Sequence, residues 1–597
     1  MKLNNILFFL FFFLPFISVS ENYVVNTTSG ISEGYTKNSV INWDDIPYAK
    51  PPIDNLRWRA PQELDISSSK QTIKPKKNNF CVQQPSGLGG SDGEGYFSGT
   101  EDCLYLDIKA PIKKDAQKLL PVMFWIHGGG NTTGLKDLYD FSLMVSRHNV
   151  IVISINYRLG PFGWFTHPSI QNQQNGLDKT SNFGTLDIIS ALKWVNKNIS
   201  SFGGDPNNVT IFGESAGGHN VLSLLVANQA KGLFHKAISM SGYTTTSSQK
   251  DAYKQDYKSS TSKYSSWNIV NEIIKDYSNE TILVENEIET RTFLKGLSSE
   301  EFFKYYTNKS SYNNIPLLTA DGIVIPEIGL TNSLSKSEHV HKVPVILGSN
   351  RDEVKLWLAS ADYFVKLDYS IFGTIIDLPK VVLKNENVFN IFNLYRSRAW
   401  KIKGVDGPLR SLSEAGNNNL YAYRYDWDDH RRFIFGNFKE LIGAAHATEI
   451  PLLTGNNKLV GKYGFLLYPR GLSKRFTSKN MMLFWTNFAK NGKPGLSTNN
   501  IEWEKYNSKK NHLSNFMILD KRSELKMYYD DLSFSTLIND LYDESALTNL
   551  EKCVLLLQML TYVGDDLYDE YIGEYPGSCD RKKSEEFIKN NDQFIDY

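Results

Sequence analysis

Residues 209–218 read Val-Thr-Ile-Phe-Gly-Glu-Ser-Ala-Gly-Gly: a β-branched and aromatic run halts at a Gly-x-Ser-x-Gly turn, and a helix-compatible stretch follows over 220–228. A chain that doubles back so sharply needs almost no side chain two positions before and two after the serine, and Gly213 and Gly217 supply this. Such a turn lifts the hydroxyl of Ser215 clear of the sheet and makes it a candidate nucleophile. The pentapeptide alone is equally compatible with a plain structural turn; the strand before it and the helix after it favour the catalytic reading.

A nucleophilic serine needs a base, an acid to orient that base, and amide donors for the oxyanion. Residues 121–130, Pro-Val-Met-Phe-Trp-Ile-His-Gly-Gly-Gly, read as an apolar strand ending in glycines whose bare backbone can approach a reacting carbonyl. Gly129 and Gly130, with the amide of Ala216, are the expected oxyanion hole. Further apolar runs at 150–156, 236–241, 343–347, 420–425 and 515–519 are interspersed with helical patterns such as 186–198. The alternation predicts an α/β fold with a mainly parallel central sheet, helices on both faces and ligands beyond the carboxyl ends of the strands.

Ser215 follows one such strand end and Glu353 another, in Gly348-Ser349-Asn350-Arg351-Asp352-Glu353. In this fold class the histidine comes after the acid, which leaves His430, His446 and His512. His430 (Asp428-Asp429-His430-Arg431-Arg432) and His512 (after Lys509-Lys510-Asn511) have the neighbours of solvated surface. His446 lies among small residues, Gly443-Ala444-Ala445-His446-Ala447, which let an imidazole reach into a cleft; taken singly it could also be a core histidine.

Lys2, an apolar stretch from Ile6 to Phe16 and the small-residue exit Ser18-Val19-Ser20 describe a signal peptide over 1–20, cleaved to leave no membrane-spanning segment. The chain is read as secreted or lumenal. With 65 basic and 65 acidic side chains, there is no electrostatic case for a nucleic-acid partner. Oligomeric state is not readable. The motifs are scattered too widely for several small domains, so residues 21–520 are read as one α/β domain and 521–597 as a largely helical tail of undetermined packing; 244–266 reads as a surface loop. Four cysteines allow three pairings, and proximity favours Cys81 with Cys103 and Cys553 with Cys579. Closing a loop like the first adds about 3 kcal/mol in the chain-entropy model. Sequons stand at Asn26, Asn131, Asn198, Asn208, Asn279 and Asn308, with Asn26, Asn279 and Asn308 expected in loops. Asn131 directly follows the oxyanion glycines and is expected to stay bare.

With these residues in place, the chain resembles the type-B carboxylesterase/lipase family, the cholinesterase-like branch of the α/β-hydrolases, from about Gly30 to about Asp520. The resemblance is carried by Ile46-Pro47-Tyr48-Ala49-Lys50-Pro51-Pro52, Leu56-Arg57-Trp58-Arg59-Ala60-Pro61 and Glu101-Asp102-Cys103-Leu104-Tyr105-Leu106-Asp107. It continues through His127-Gly128-Gly129-Gly130, Asn156-Tyr157-Arg158-Leu159-Gly160, Asn182-Phe183-Gly184 and Phe202-Gly203-Gly204-Asp205-Pro206 to the elbow. It implies a triad of Ser215, Glu353 and His446, a Cys81–Cys103 bridge and an Arg57–Glu101 pair beside that bridge. It also implies ester hydrolysis through an acyl-enzyme on a small-molecule ester, with no metal and no organic cofactor. The chain departs from the family at Asn131, where an aromatic residue is usual and which is expected to line the pocket. It departs again at Ile188, in place of glutamine, and at Val354, in place of a small residue. A lipase, an amidase or transacylase using the same triad, and a non-catalytic adhesion relative are the alternatives. The 81–103 loop contains no tryptophan, only Tyr96 and Phe97 among glycines, so a general carboxylesterase is expected rather than a cholinesterase.

Overall fold

The computed structural model describes residues 23–591 except 66–68, 88–94, 113–117, 254–265, 278–285, 308–314, 316, 369–379, 434–435 and 508–513. The signal-peptide region, Asn279, Asn308 and His512 lie outside the described residues.

The described residues build a twelve-stranded sheet. Its strands are β1 Tyr23–Thr27, β2 Gly30–Lys37, β3 Val40–Pro47, β4 Tyr105–Pro111, β5 Leu120–Ile126, β6 Ile151–Ile155, β7 Gly204–Glu214, β8 Lys236–Met240, β9 Val345–Asn350, β10 Leu420–Tyr425, β11 Ser514–Leu519 and β12 Lys526–Asp530. In space they run β1-β2-β3-β4-β6-β5-β7-β8-β9-β10-β11-β12. From β6 across to β11 every pairing is parallel; the pairings at either flank are antiparallel. The central strands are apolar without alternation because helices cover both faces: Ile151–Ile155 is buried at every position. The outer β12 is mostly exposed and bounded by Lys526 and Asp530, charges that discourage further pairing at an edge.

Helix α1 (Phe183–Asn198) sends Leu186, Ile189 and Leu192 into the core and leads through a short 3₁₀ turn to Gly203, which stops it in the left-handed conformation (φ 84°). Helix α2 (Ala216–Leu224) begins directly at the elbow, four residues earlier than sequence periodicity suggested, since the turn itself is the first helical step. Within 244–266 the chain is not a bare loop: Ser247–Ser248 pairs with Thr319–Ala320, and Gln249–Ala252 is helical.

The expected boundary at residue 520 falls too early, because β12 lies beyond it and completes the sheet. Past that strand, α5 (Phe534–Asp543), α6 (Asn549–Thr561) and α7 (Arg581–Asn590) follow α3 (Glu386–Lys401) and α4 (Leu472–Asn491) of the body. Helix α6 starts at a reciprocal Thr548/Glu551 capping box and turns Val554, Leu555, Leu556 and Leu560 into a core shared with Phe389 and Phe392 of α3. The tail is therefore packed on the body. A bridge between Cys553 and Cys579 staples it, and a second bridge joins Cys81 to Cys103; no cysteine is free. Among the described residues no helix is long and apolar enough to cross a membrane.

Candidate active site

At the end of β7 the chain reverses at Ser215, whose φ of 59° and ψ of −123° no unstrained serine adopts. Holding such a conformation costs about 1–3 kcal/mol, met by the packing around it. The flanking glycines are obligatory. A Cβ on Gly217 would lie 2.0 Å from the Ile126 carbonyl, and one on Gly213 would lie 2.5 Å from the backbone of Gly217. The Ser215 amide donates to Met240 O at 2.9 Å, tying the elbow to β8.

The glycine run after β5 lies against this turn, since a Cβ on Gly128 would meet Glu214 O at 2.7 Å. Gly129 (φ 101°) and Gly130 (φ 63°) take left-handed conformations, and among the described residues their amides have no backbone acceptor. Ala216 opens α2, so its amide is one of the unpaired donors at the positive end of a helix. The glycine run and the helix start thus flank the turn that carries Ser215.

Glu353 follows β9 and is fully buried; its Oε1 accepts from the Asn350 amide at 2.7 Å and its Oε2 lies 2.7 Å from His446 Nδ1. The His446 amide donates to Glu353 O at 3.1 Å, so backbone and side chain hold the pair in register. Asp352, the neighbouring carboxylate, serves elsewhere: it accepts from Arg351, Asn393 Nδ2 and the Ala444 amide. Among the described residues His446 Nε2 makes no aligned hydrogen bond, and it lies 3.2 Å from Glu214 Oε1 as an ion-pair contact. A carboxylate on Nδ1 puts the imidazole proton there and leaves Nε2 as the basic nitrogen, next to the residue that precedes Ser215.

Three carboxylates surround this imidazole. Burial pulls the His446 pKa down, but the charges of Glu214 and Glu353 override it and hold it at about 9. Burial pushes Glu214 up to about 7, with His446 opposing, and pushes Glu449 up to about 8 with help from Glu214 and Glu353. Glu449 Oε2 accepts from Asn350 Nδ2 at 2.6 Å. Sequence reasoning missed Glu449 and the proximity of Glu214 to the histidine; the one available signal was an acid set among apolar residues in Glu449-Ile450-Pro451-Leu452. It also missed Trp357 and Trp400, whose rings lie 5.0 and 4.9 Å from the imidazole.

Several expectations need correction. Asn131 does not line the pocket: it is wholly buried, and its Oδ1 accepts from Tyr157 Oη at 3.3 Å and Asn220 Nδ2 at 2.8 Å. Asn198 is unsuited to carry a glycan, because its buried amide donates to Thr28 Oγ1 and Trp194 O while its Oδ1 accepts from the Thr28 amide. Asn26 is exposed but sits in β1, and Asn208 lies within β7, where Lys236 Nζ donates to its side chain. His430 is buried, with both ring nitrogens 2.8 Å from carbonyls, of Leu467 and Gly443. Ile188 and Val354 are both core residues. Arg57 pairs with Glu101 through two hydrogen bonds and also donates to Leu297 O at 2.8 Å. Breaking a buried pair of this kind costs roughly 3–5 kcal/mol, so its role here is structural. Tyr96 is tied to Glu300 and Phe97 packs edge-on to Phe303.

The sequence pattern of the carboxylesterase family matches residues 21–388 and 404–534. The chain is similar to the para-nitrobenzyl esterase of Bacillus subtilis (strain 168), 31% identical over 494 residues that cover 81% of this chain and 92% of that one. It is 29% identical to liver carboxylesterase 1F of Rattus norvegicus, over 82% of this chain and 89% of that one. Among solved structures, a PNB esterase superposes with a TM-score of 0.63 at 28% identity, covering 87% of this chain and 99% of that one. A Geobacillus stearothermophilus carboxylesterase gives 0.63 at 25% identity, covering 85% and 98%.

Proposed function

The chain belongs to the carboxylesterase family and has its α/β-hydrolase fold, and on that footing we propose that it hydrolyses carboxylic esters through an acyl-enzyme on Ser215. His446 Nε2 takes the Ser215 proton as Oγ attacks the ester carbonyl. The amides of Gly129, Gly130 and Ala216 hold the oxyanion, and the protonated imidazole then delivers its proton to the departing alcohol. Water repeats the sequence to release the acid. Glu353 fixes the tautomer and stabilises the imidazolium without taking the proton. The observation that carries this reading is the His446 imidazole, held through Nδ1 by Glu353 with its Nε2 beside Glu214, the residue before Ser215.

Both disulfides support passage through an oxidising compartment, in keeping with a cleaved leader over 1–20 and a secreted or lumenal enzyme. Asn26 is the glycan acceptor best placed among the described sequons. Tyr96 and Phe97, held on the Ser299–Phe303 helix, favour an uncharged ester over a choline ester.

The test is labelling of the purified protein with an organophosphonate ester and mapping of the modified peptide. Covalent label on Ser215 with parallel loss of esterase activity is the expected result. Label elsewhere, or full activity with Ser215 unmodified, overturns the proposal.

A further inference from the structure

One residue packed on the His446 imidazole, Trp400, and three that brace the rings behind it lie outside the part of the chain that matches the family. The match omits 389–403 and ends at 534; Arg396, Trp400 and Lys403 fall in the first gap, and Tyr562 falls beyond the end. Trp400 and Trp357 stack on each other (5.8 Å, 16°), and each ring also lies against His446. Tyr562 stands edge-on to both indoles, at 5.6 Å from Trp400 and 6.3 Å from Trp357. On its other side the Arg396 guanidinium sits 4.9 Å over the phenol ring.

The backbone at Tyr562 is gripped as firmly. Lys403, in the single π-helical turn Ile402–Asp406 that follows α3, donates its three protons to Leu560 O at 2.6 Å, Tyr562 O at 3.1 Å and Asp565 O at 2.9 Å. Leu560 O and Tyr562 O lie at the C-terminal end of α6 and Asp565 O in the segment after it, so one amine ties the helix end to the chain that leaves it. Val354, next to Glu353 and larger than the residue usual there, packs into the same core as Tyr562 and Trp400.

The geometry points to Tyr562 as a positioning residue for the proposed catalytic base: the stapled C-terminal helices press its ring on the Trp357–Trp400 pair and thereby hold the His446 imidazole at the angle that aims Nε2 toward Ser215. An imidazole held at its ring edge by Glu353 on Nδ1 and Glu214 near Nε2 can still tilt its faces, and two indole faces backed by a fixed ring restrict that motion. The inference rests on the ester-hydrolase reading given above. It adds that part of the catalytic alignment is supplied by residues outside the family's shared sequence.

The experiment measures kcat and KM for an aryl acetate, and the rate of organophosphonate labelling, in the full chain and three variants held well below their Tm. Tyr562→Ala is expected to lower kcat and the labelling rate together by about ten- to a hundred-fold, with KM within about two-fold, the signature of a misaligned group rather than lost binding. Tyr562→Phe, which keeps the ring, is expected to restore both. The double variant Cys553→Ser, Cys579→Ser is expected to lower Tm while leaving kcat near the parent value, because Lys403 and the ring contacts still seat Tyr562. Unchanged kcat in Tyr562→Ala, failure of Phe to rescue, or a kcat that simply follows Tm across all three overturns the inference while leaving Ser215 as nucleophile. A parent chain that neither hydrolyses the ester nor takes label on Ser215 removes the ester-hydrolase reading, and this inference with it.

Discussion

Around Ser215 the geometry is held by backbone: two glycines with no room for a methyl group, a strained φ, and amides presented by a left-handed glycine run and a helix start. Around His446 it is held by side chains: a carboxylate at 2.7 Å, two indole rings, and further buried acids that tune its charge. The difference teaches that one site can combine a part with no freedom to vary and a part that can be tuned. The glycines of the backbone-built half admit no side chain without moving the chain, whereas the side-chain-built half can take partners from distant or additional segments.

The largest expected effect tests whether the two halves act as one unit. Ser215→Ala should lower kcat on the order of 10⁶-fold while leaving Tm near that of the parent, because a half-buried hydroxyl contributes little packing. Retention of most activity in the purified variant would break the assignment at its centre. Next, Glu353→Gln keeps the shape but presents an amide to Nδ1, and a drop in kcat of about 10⁴-fold is expected. A loss under ten-fold would show that another of the buried acids orients the imidazole.

Gly217→Ala sharpens the contrast from the backbone side. Its methyl must displace the Ile126 carbonyl and with it the oxyanion loop, so kcat should fall by about 10²–10³-fold and Tm should fall as well, unlike in Ser215→Ala. A fully active, fully stable variant would show that the elbow is looser than its contacts imply. The smallest effect concerns tuning. Because the base must be neutral and its pKa is raised to about 9, kcat/KM should rise with pH from neutral into the alkaline range, with its midpoint above the usual imidazole value of about 6.5. Glu214→Gln removes a negative charge 3.2 Å from Nε2, which lowers the imidazole pKa and should move that midpoint down by about one unit. A midpoint that stays put would assign the raised value to Glu353 and Glu449 alone.

The same contrast explains what could be read in the sequence. Gly213, Gly217 and the His127-Gly128-Gly129-Gly130 run were legible because a backbone approach too close for a Cβ, or a left-handed turn, leaves a local mark in glycine. The sheet was legible because doubly covered parallel strands are apolar at every position. His446 and Glu353 needed the order of the family's motifs, and Trp357, Trp400 and Tyr562 were invisible, since rings far apart in the chain meet only after folding. His430 misled because Asp428, Asp429 and Arg431 suggest solvent, yet burial there is sustained by two carbonyls on other segments. Asn198 misled for the same reason, its sequon being local and its partners at Thr28 remote.

Asn131 carries a consequence of timing. In the extended chain Asn131-Thr132-Thr133 is an acceptor for oligosaccharide transfer, while in the folded chain the amide that would be modified is sealed behind Tyr157 and Asn220. A sugar on Asn131 and this packing are therefore mutually exclusive: a chain glycosylated there before folding could not close the strand end onto the elbow.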